Sequence, residues 1–253
     1  MSDYKGSVAL ITGGNKGLGL EIARQLGKQG VRVVIGSRDG GNGEAAAGKL
    51  KKEGIDARAV TLDVTSAADI AALPGFFQKN YGRLDILVNN AGVNFDFAGD
   101  DPAGWQASTA ATVSPDSLRK TFEANFIAPV AIAQALLPLL KASPAGRIVN
   151  HSSILGSLTL HGDPKSMIYN TKPLGYDASK AALNAFTVHL AYSLKDTKVK
   201  VNSAHPGWVK TDMGSQAAPM EIPDGAKTAV ALATLPADGP TGGFFHMGER
   251  LPW

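Results

Sequence analysis

Seven short apolar runs, each separated from the next by a longer segment, leave this chain few folds to choose from. The runs are Val8–Ile11, Val31–Ile35, Ala57–Leu62, Ile86–Val88, Arg147–Asn150, Lys198–Ala204 and Gly243–His246. Between them, Leu18–Gln29, Gly43–Glu53, Ala67–Tyr81, Pro115–Lys141, Tyr176–Lys195 and Gly225–Leu235 carry apolar residues at helical spacing. Strands this apolar have no face to spare for water, so the alternation predicts an α/β chain: a doubly wound, mainly parallel seven-stranded sheet with helices on both faces. With 253 residues, 44% of them hydrophobic and 19% charged, the chain can bury such a core and fits one domain over 1–253.

Several function classes fall away on composition. A net charge of +3 without a Lys/Arg cluster argues against a nucleic-acid partner. The absence of cysteine removes disulfides, thiolate nucleophiles and thiolate metal sites. The five histidines (151, 161, 189, 205 and 246) show no metal-ligand spacing, so no metal is expected. Met1–Ser7 is polar, and the longest apolar stretch, Ile127–Leu140, is broken by Pro129, Gln134 and Pro138. Neither a signal peptide nor a membrane partner is expected, and the expected compartment is the cytoplasm. Three stretches interrupt the alternation: Asn94–Val113, Gly156–Leu174 and Ser215–Asp224. Each follows the C-terminal end of a strand, where open α/β sheets bind their ligands.

The first strand runs into Thr12-Gly13-Gly14-Asn15-Lys16-Gly17-Leu18-Gly19, and a helix starts at once. Glycines at 13, 17 and 19 permit a tight turn and a close backbone approach to a pyrophosphate, with free helix N–H groups aimed at the phosphates. This is the dinucleotide loop of a Rossmann-type fold. The second strand ends in Gly36-Ser37-Arg38-Asp39. An acid directly after this strand would bind a ribose 2′-OH, whereas Arg38 standing first suits a 2′-phosphate, with Lys16 as a second cation. The expected cofactor is therefore NADP (NADPH).

Taken in order, these motifs resemble the single-domain short-chain dehydrogenase/reductase family, and within it the carbonyl reductases. The resemblance spans nearly the whole chain: Thr12–Gly19, Asp63-Val64 after the third strand, Asn89-Asn90-Ala91-Gly92 after the fourth, Tyr176-Asp177-Ala178-Ser179-Lys180, and Pro206-Gly207 followed by Val209 and Thr211. It implies that Gly13, Asn15, Lys16, Gly17, Leu18, Gly19, Arg38, Asp63, Val64, Asn90, Ala91, Gly92, Tyr176, Lys180, Pro206, Gly207, Val209 and Thr211 hold the cofactor. It also implies a catalytic set of Asn125, Ser153, Tyr176 and Lys180, with the lysine on the nicotinamide ribose, the serine on the substrate oxygen and the asparagine holding a water near the lysine. Two departures stand out. Ala128 replaces a usual glycine, and the 23 positions from Ser153 to Tyr176 are more than the family commonly has. The surplus around His161 to Pro173 is expected to line the substrate entrance and to disturb a helix-to-helix dimer, which leaves monomer and homo-oligomer both open.

The residues themselves support that chemistry. Hydride delivery to a carbonyl carbon leaves an alkoxide that needs a proton. Tyr176 and Lys180, four apart on one helix face, pair a phenol with an ammonium that would draw the phenol's pKa down from about 10. Tyr169 is excluded as the motif tyrosine because Pro173, not a lysine, stands four residues on. The expected activity is reversible NADPH-dependent reduction of a ketone or aldehyde, with Tyr176 as proton donor. The alternatives are an NAD-dependent alcohol dehydrogenase running oxidatively, and a non-catalytic dinucleotide-sensing regulator. A nucleotide-sugar epimerase would need a longer C-terminal substrate region. Phe95, Phe97, Trp105, Leu155, Trp208 and Met213 would give the mouth an apolar lining suited to a small-molecule carbonyl substrate.

Overall fold

The structure, a computed structural model, describes residues 4–96 and 108–253. Eight strands form one sheet: β1 (Val8–Thr12), β2 (Arg32–Ser37), β3 (Ala57–Thr61), β4 (Ile86–Asn89), β5 (Arg147–His151), β6 (Lys200–Ala204), β7 (Phe244–His246) and β8 (Glu249–Arg250). Their order is β3-β2-β1-β4-β5-β6-β7-β8. All neighbours are parallel except the last pair, where Phe245 faces Arg250 and His246 faces Glu249. The sequence predicted seven strands; the eighth is two charged residues long and carries no apolar pattern by which to find it.

Side chains alternate across the sheet as the pleat requires. Ala9, Ile11, Val33 and Ile35 point to one face and meet Ile22 and Leu26 of α1 (Gly17–Lys28), Ala46 and Leu50 of α2 (Gly40–Lys52), and Ala229 and Ala233 of α8 (Ile222–Ala233). Val8, Leu10, Val34 and Ile148 point to the other face. They meet Leu73 and Phe77 of α3 (Ala67–Asn80), Leu136 and Leu140 of α5 (Ala128–Ala142), and Ala191 of α7 (Leu174–Ser193). Fully burying one such leucine or phenylalanine stabilises the fold by about 1.5–3 kcal/mol, so these two layers hold the strand ends in register.

Helix starts are marked locally. Asp39 accepts from the N–H of Asn42 to cap α2, Ser66 from Asp69 to cap α3, and Ser114 from Ser117 to cap α4 (Pro115–Phe122). Ser157 accepts from Leu160 to cap α6 (Leu158–Gly162), a single turn inside the 156–174 segment that five residues could not announce in the sequence. Helices α4 and α5 are continuous through a π turn at Glu123–Ile127, giving 28 residues from Pro115 to Ala142 with a mean hydropathy of 1.5 over their most apolar window. By length and composition that helix could cross a membrane, which its apolar stretch alone had not suggested. In the structure Ile132, Ala133, Leu136 and Leu140 of that helix are buried in the core cluster with Leu73 and Phe77 of α3, while Ile127 is exposed.

Candidate active site

Every strand from β1 to β6 delivers its C-terminal end to one edge of the sheet, and the residues singled out in the sequence collect there. The glycine loop is shaped by its neighbours. Gly13 (φ +62°) and Gly17 (φ +54°) adopt the left-handed backbone that glycine tolerates. A Cβ at Gly19 would stand 2.5 Å from both Asn90 Nδ2 and Gly13 O. Thr12 Oγ1 accepts from the N–H of Asn90 and of Ala91, both at 3.0 Å, and Asn90 Nδ2 donates to Thr12 O at 2.9 Å. The Asn-Asn-Ala-Gly turn and the glycine loop are thus one hydrogen-bonded unit. Helix α1, which opens at Gly17, has no side-chain cap and no acid in its first turn. Its first N–H groups and its positive dipole end remain available to a phosphate, so the loop fits a dinucleotide.

Around this loop lie the other expected contacts. Arg38 is exposed at the end of β2, while the Asp39 side chain is occupied in capping α2. Asp63 sits after β3 with Oδ1 accepting from the N–H and hydroxyl of Thr65, which lowers its pKa; Val64 packs at the margin of the core. Gly207 (φ +91°) turns the chain after β6, and Val209 pairs with Met220. The segment then passes over the glycine loop, with Thr211 Cγ2 3.9 Å from a Cβ built on Gly17. Lys16 is paired with an acid of the chain itself. Its ammonium lies 2.5 Å from Asp212, a residue the sequence reading did not single out, and both side chains are exposed. An exposed pair of this kind is weak and exchangeable, so Lys16 is lightly held.

The catalytic candidates converge from three parts of the chain. Asn125 stands in the π turn, which swings its amide inward to accept from Val93 N (2.8 Å) and donate to Val93 O (2.9 Å) and Ser179 Oγ (3.0 Å). Ser179 Oγ donates in turn to Tyr176 O at 2.7 Å, a link that no spacing in the sequence predicts. Lys180, 5% exposed, donates from Nζ to His151 O at 2.8 Å, and its ammonium is 5.5 Å from the Tyr176 ring centroid. A Cβ on Gly92 would come within 3.6 Å of that ammonium and 3.3 Å of Asn125 Oδ1. Ser153, two residues beyond β5, accepts from Leu155 N at 3.2 Å and lies close enough to the Tyr176 phenol for its hydroxyl to lower the phenol's pKa. Tyr169 lies apart, its ring under the Lys172 ammonium at 4.9 Å.

The electrostatics correct one expectation. Burial pushes the Tyr176 phenol up to about 12, against a smaller lowering by the Ser153 hydrogen bond. Burial outweighs the pull of the ammonium 5.5 Å from the ring. That ammonium is itself desolvated, pushed down to about 8, and is committed to the His151 carbonyl. The site therefore presents a neutral phenol beside a hydroxyl, poised to give a proton to an oxygen that gains charge. His151 and His205 are buried and pushed down to about 3, hence neutral. Among the candidate mouth residues Phe95, Trp208 and Met213 are exposed, whereas Phe97 and Trp105 lie outside the described residues.

The 156–174 segment does not form a continuous helix. It folds against the start of α7 and the chain's last residue, with Thr159 N donating to Trp253 O at 2.9 Å. His161 Nε2 faces Leu155 O (2.9 Å) and Asp177 Oδ2 (3.2 Å), and the Lys172 ammonium reaches His161 Nδ1 at 3.1 Å. Asp96, which sequence reasoning missed, is 2% exposed and accepts from the N–H of Gly175 (3.2 Å) and of Tyr176 (2.6 Å).

Comparison with known proteins agrees with this geometry. The short chain dehydrogenase family pattern matches residues 7–222. The chain is 33% identical to (+)-neomenthol dehydrogenase of Arabidopsis thaliana, covering 97% of each chain. It is 34% identical to carbonyl reductase (NADPH) 1 of Homo sapiens, covering 97% of this chain and 98% of that one. The crystal structure of NADPH-bound carbonyl reductase from chicken fatty liver superposes with a TM-score of 0.82 at 27% identity, covering 98% of this chain and all of the other.

Proposed function

The chain belongs to the short-chain dehydrogenase family, and from that premise we propose that it reduces a ketone or aldehyde with NADPH, with Tyr176 as proton donor. It is an NADP-dependent oxidoreductase of the carbonyl reductase type, and NADP is its cofactor. NADPH, when bound, supplies the hydride. The bare N-terminus of α1 and the glycine loop would hold the pyrophosphate, and Arg38 the 2′-phosphate, while Asp39 is diverted to its own helix. Lys180 would hold the nicotinamide ribose. Ser153 would donate to the substrate oxygen, and Asn125 would fix the wall beside the ammonium.

One feature supports the reducing direction: the Tyr176 phenol is buried next to Ser153, and burial pushes its pKa up, so that it holds its proton. A phenol in that state is ready to give its proton in reduction, and the reverse reaction would return the proton to the same atom. The NADP cofactor favours this reading over the NAD-dependent oxidative alternative. The complete Asn125, Ser153, Tyr176 and Lys180 set likewise favours an enzyme over a dinucleotide sensor. Exposed Phe95, Trp208 and Met213, on the segments after β4 and β6, support a carbonyl compound with a sizeable apolar part, and the whole chain would act as one cytoplasmic dinucleotide-binding and catalytic unit.

The test is NADPH oxidation by the purified protein across aldehydes, ketones, ketoesters and quinones, repeated with Tyr176→Phe. Removing a general acid costs about 10²–10⁴-fold in rate. Tyr176→Phe should show that loss with NADPH binding retained, and Tyr169→Phe should not. Equal behaviour of the two variants would overturn the assignment.

A further inference from the structure

We propose that Asp96 is a positioning residue for the reduction, setting the height of the Tyr176 phenol by gripping the main chain of the tyrosine itself; this rests on reading Tyr176 as the proton donor. Helix α7 opens after Pro173, which offers no side-chain cap, so the first N–H groups of the catalytic helix need an acceptor from elsewhere. Asp96 provides it from far back in the chain. Its Oδ1 accepts from Gly175 N at 3.2 Å and its Oδ2 from Tyr176 N at 2.6 Å. Two parallel N–H donors fix both the distance and the rotation of the helix start, as one donor would not. The carboxylate also lies at the positive end of the α7 dipole.

The surroundings hold Asp96 to this task. Ser108 Oγ donates to its Oδ1 at 2.8 Å and Ser108 N to its backbone oxygen at 2.9 Å. The N–H of Asp96 donates to Asn94 Oδ1 at 3.0 Å. Gly175 is required by the same fit, because a Cβ there would stand 3.0 and 3.1 Å from the two carboxylate oxygens. The next residue along, Asp177, feels the charge. Burial first and Asp96 second push its carboxyl up to about 8, with His161 Nε2 on its Oδ2 and its Oδ1 without a partner. Of the two carboxyl groups at this helix start, Asp96 has the N–H donors and Asp177 keeps a proton up to that pH.

A shift of the tyrosine main chain carries the phenol away from Ser153, while the dinucleotide contacts other than Tyr176 and Lys180 lie on other elements. Misplacement of about 1 Å can cost on the order of 10²-fold in rate. Asp96→Ala should therefore lower kcat about 10- to 100-fold with the NADPH dissociation constant changed less than about threefold. Asp96→Asn, with one acceptor oxygen in the same shape, should recover part of that kcat and serves where the alanine variant does not fold. Rates are taken per mole of folded protein, with thermal melts alongside. If both variants melt lower but keep the wild-type kcat, Asp96 is a helix cap only and the proposal is overturned. Tyr176→Phe, run beside them, separates the two ideas: if it remains active the reading of the site fails, and if it alone is inactive only the role of Asp96 fails.

Discussion

Helices α1 and α7 begin at the same edge of the sheet and solve the same problem in opposite ways. Each has four N–H groups without intrahelical partners. At α1 the residue before the helix is Lys16, and no side chain caps the first turn. At α7 the preceding residue is Pro173, yet a carboxylate from the segment after β4 closes the gap. The remaining capped starts, at α2, α3, α4 and α6, use the residue next in line. An uncapped start suits a ligand's phosphate; a start sealed from a distance suits a side chain that must not move. The two helix ends therefore divide the work, one holding the dinucleotide and the other holding the acid.

The contrast breaks most visibly on the cofactor side. Arg38→Asp replaces a charge-assisted contact, worth roughly 1.5–3 kcal/mol, with a repelling charge, so KM for NADPH should rise about 10- to 100-fold while KM for NADH changes little. Equal losses with both dinucleotides would remove the 2′-phosphate assignment. On the α7 side the sharper probe is pH. Lys180 loses its proton as pH rises through about 8, well before Tyr176 does near 12. A plot of kcat/KM for reduction should therefore fall above about pH 8. A profile flat to pH 10 would mean that the ammonium is not needed.

A smaller effect lies in stability. The folded state keeps the Asp177 proton up to about pH 8, whereas an unfolded aspartate releases it near 4. The sign follows from linkage: native protein binds more protons between those values, so stability is full at acid pH and declines as pH rises through about 8. Asp96, His161 and Lys172 face this group. Asp177→Asn should flatten the decline of the melting temperature over that window, and an unchanged slope would locate the proton elsewhere. The smallest effect belongs to an ordinary cap. Ser66→Ala should cost about 1 kcal/mol in denaturant unfolding and leave both KM values and kcat alone.

These contrasts were unequally visible in the sequence. The seven apolar runs, the glycine loop and Tyr176 with Lys180 are local patterns, and each stands where its pattern put it. Asp96, Ser179 and Asp212 are single polar residues whose partners lie far along the chain, and nothing in their neighbours marks them. Asn125 was found by its motif, but the π turn that aims its amide leaves no mark in Glu123–Ile127. The burial that pushes the Tyr176 pKa up is hidden from the sequence for a related reason. Spacing shows that an ammonium is near, but only the folded site shows that it is desolvated and tied to His151 O.

The hairpin that ends the sheet has a consequence for how copies of this chain behave when crowded together. A long parallel sheet with an open side is a template on which another strand can grow. Here the last position is taken by β8, two exposed residues of opposite charge, Glu249 and Arg250, running antiparallel to the strand they cover. A newcomer would find a rung too short to register against and would have to bring its own backbone beside two solvated charges. The turn through Met247 and Gly248, both with positive φ, thus ends this side of the sheet on a short, charged rung, a poor template for another strand.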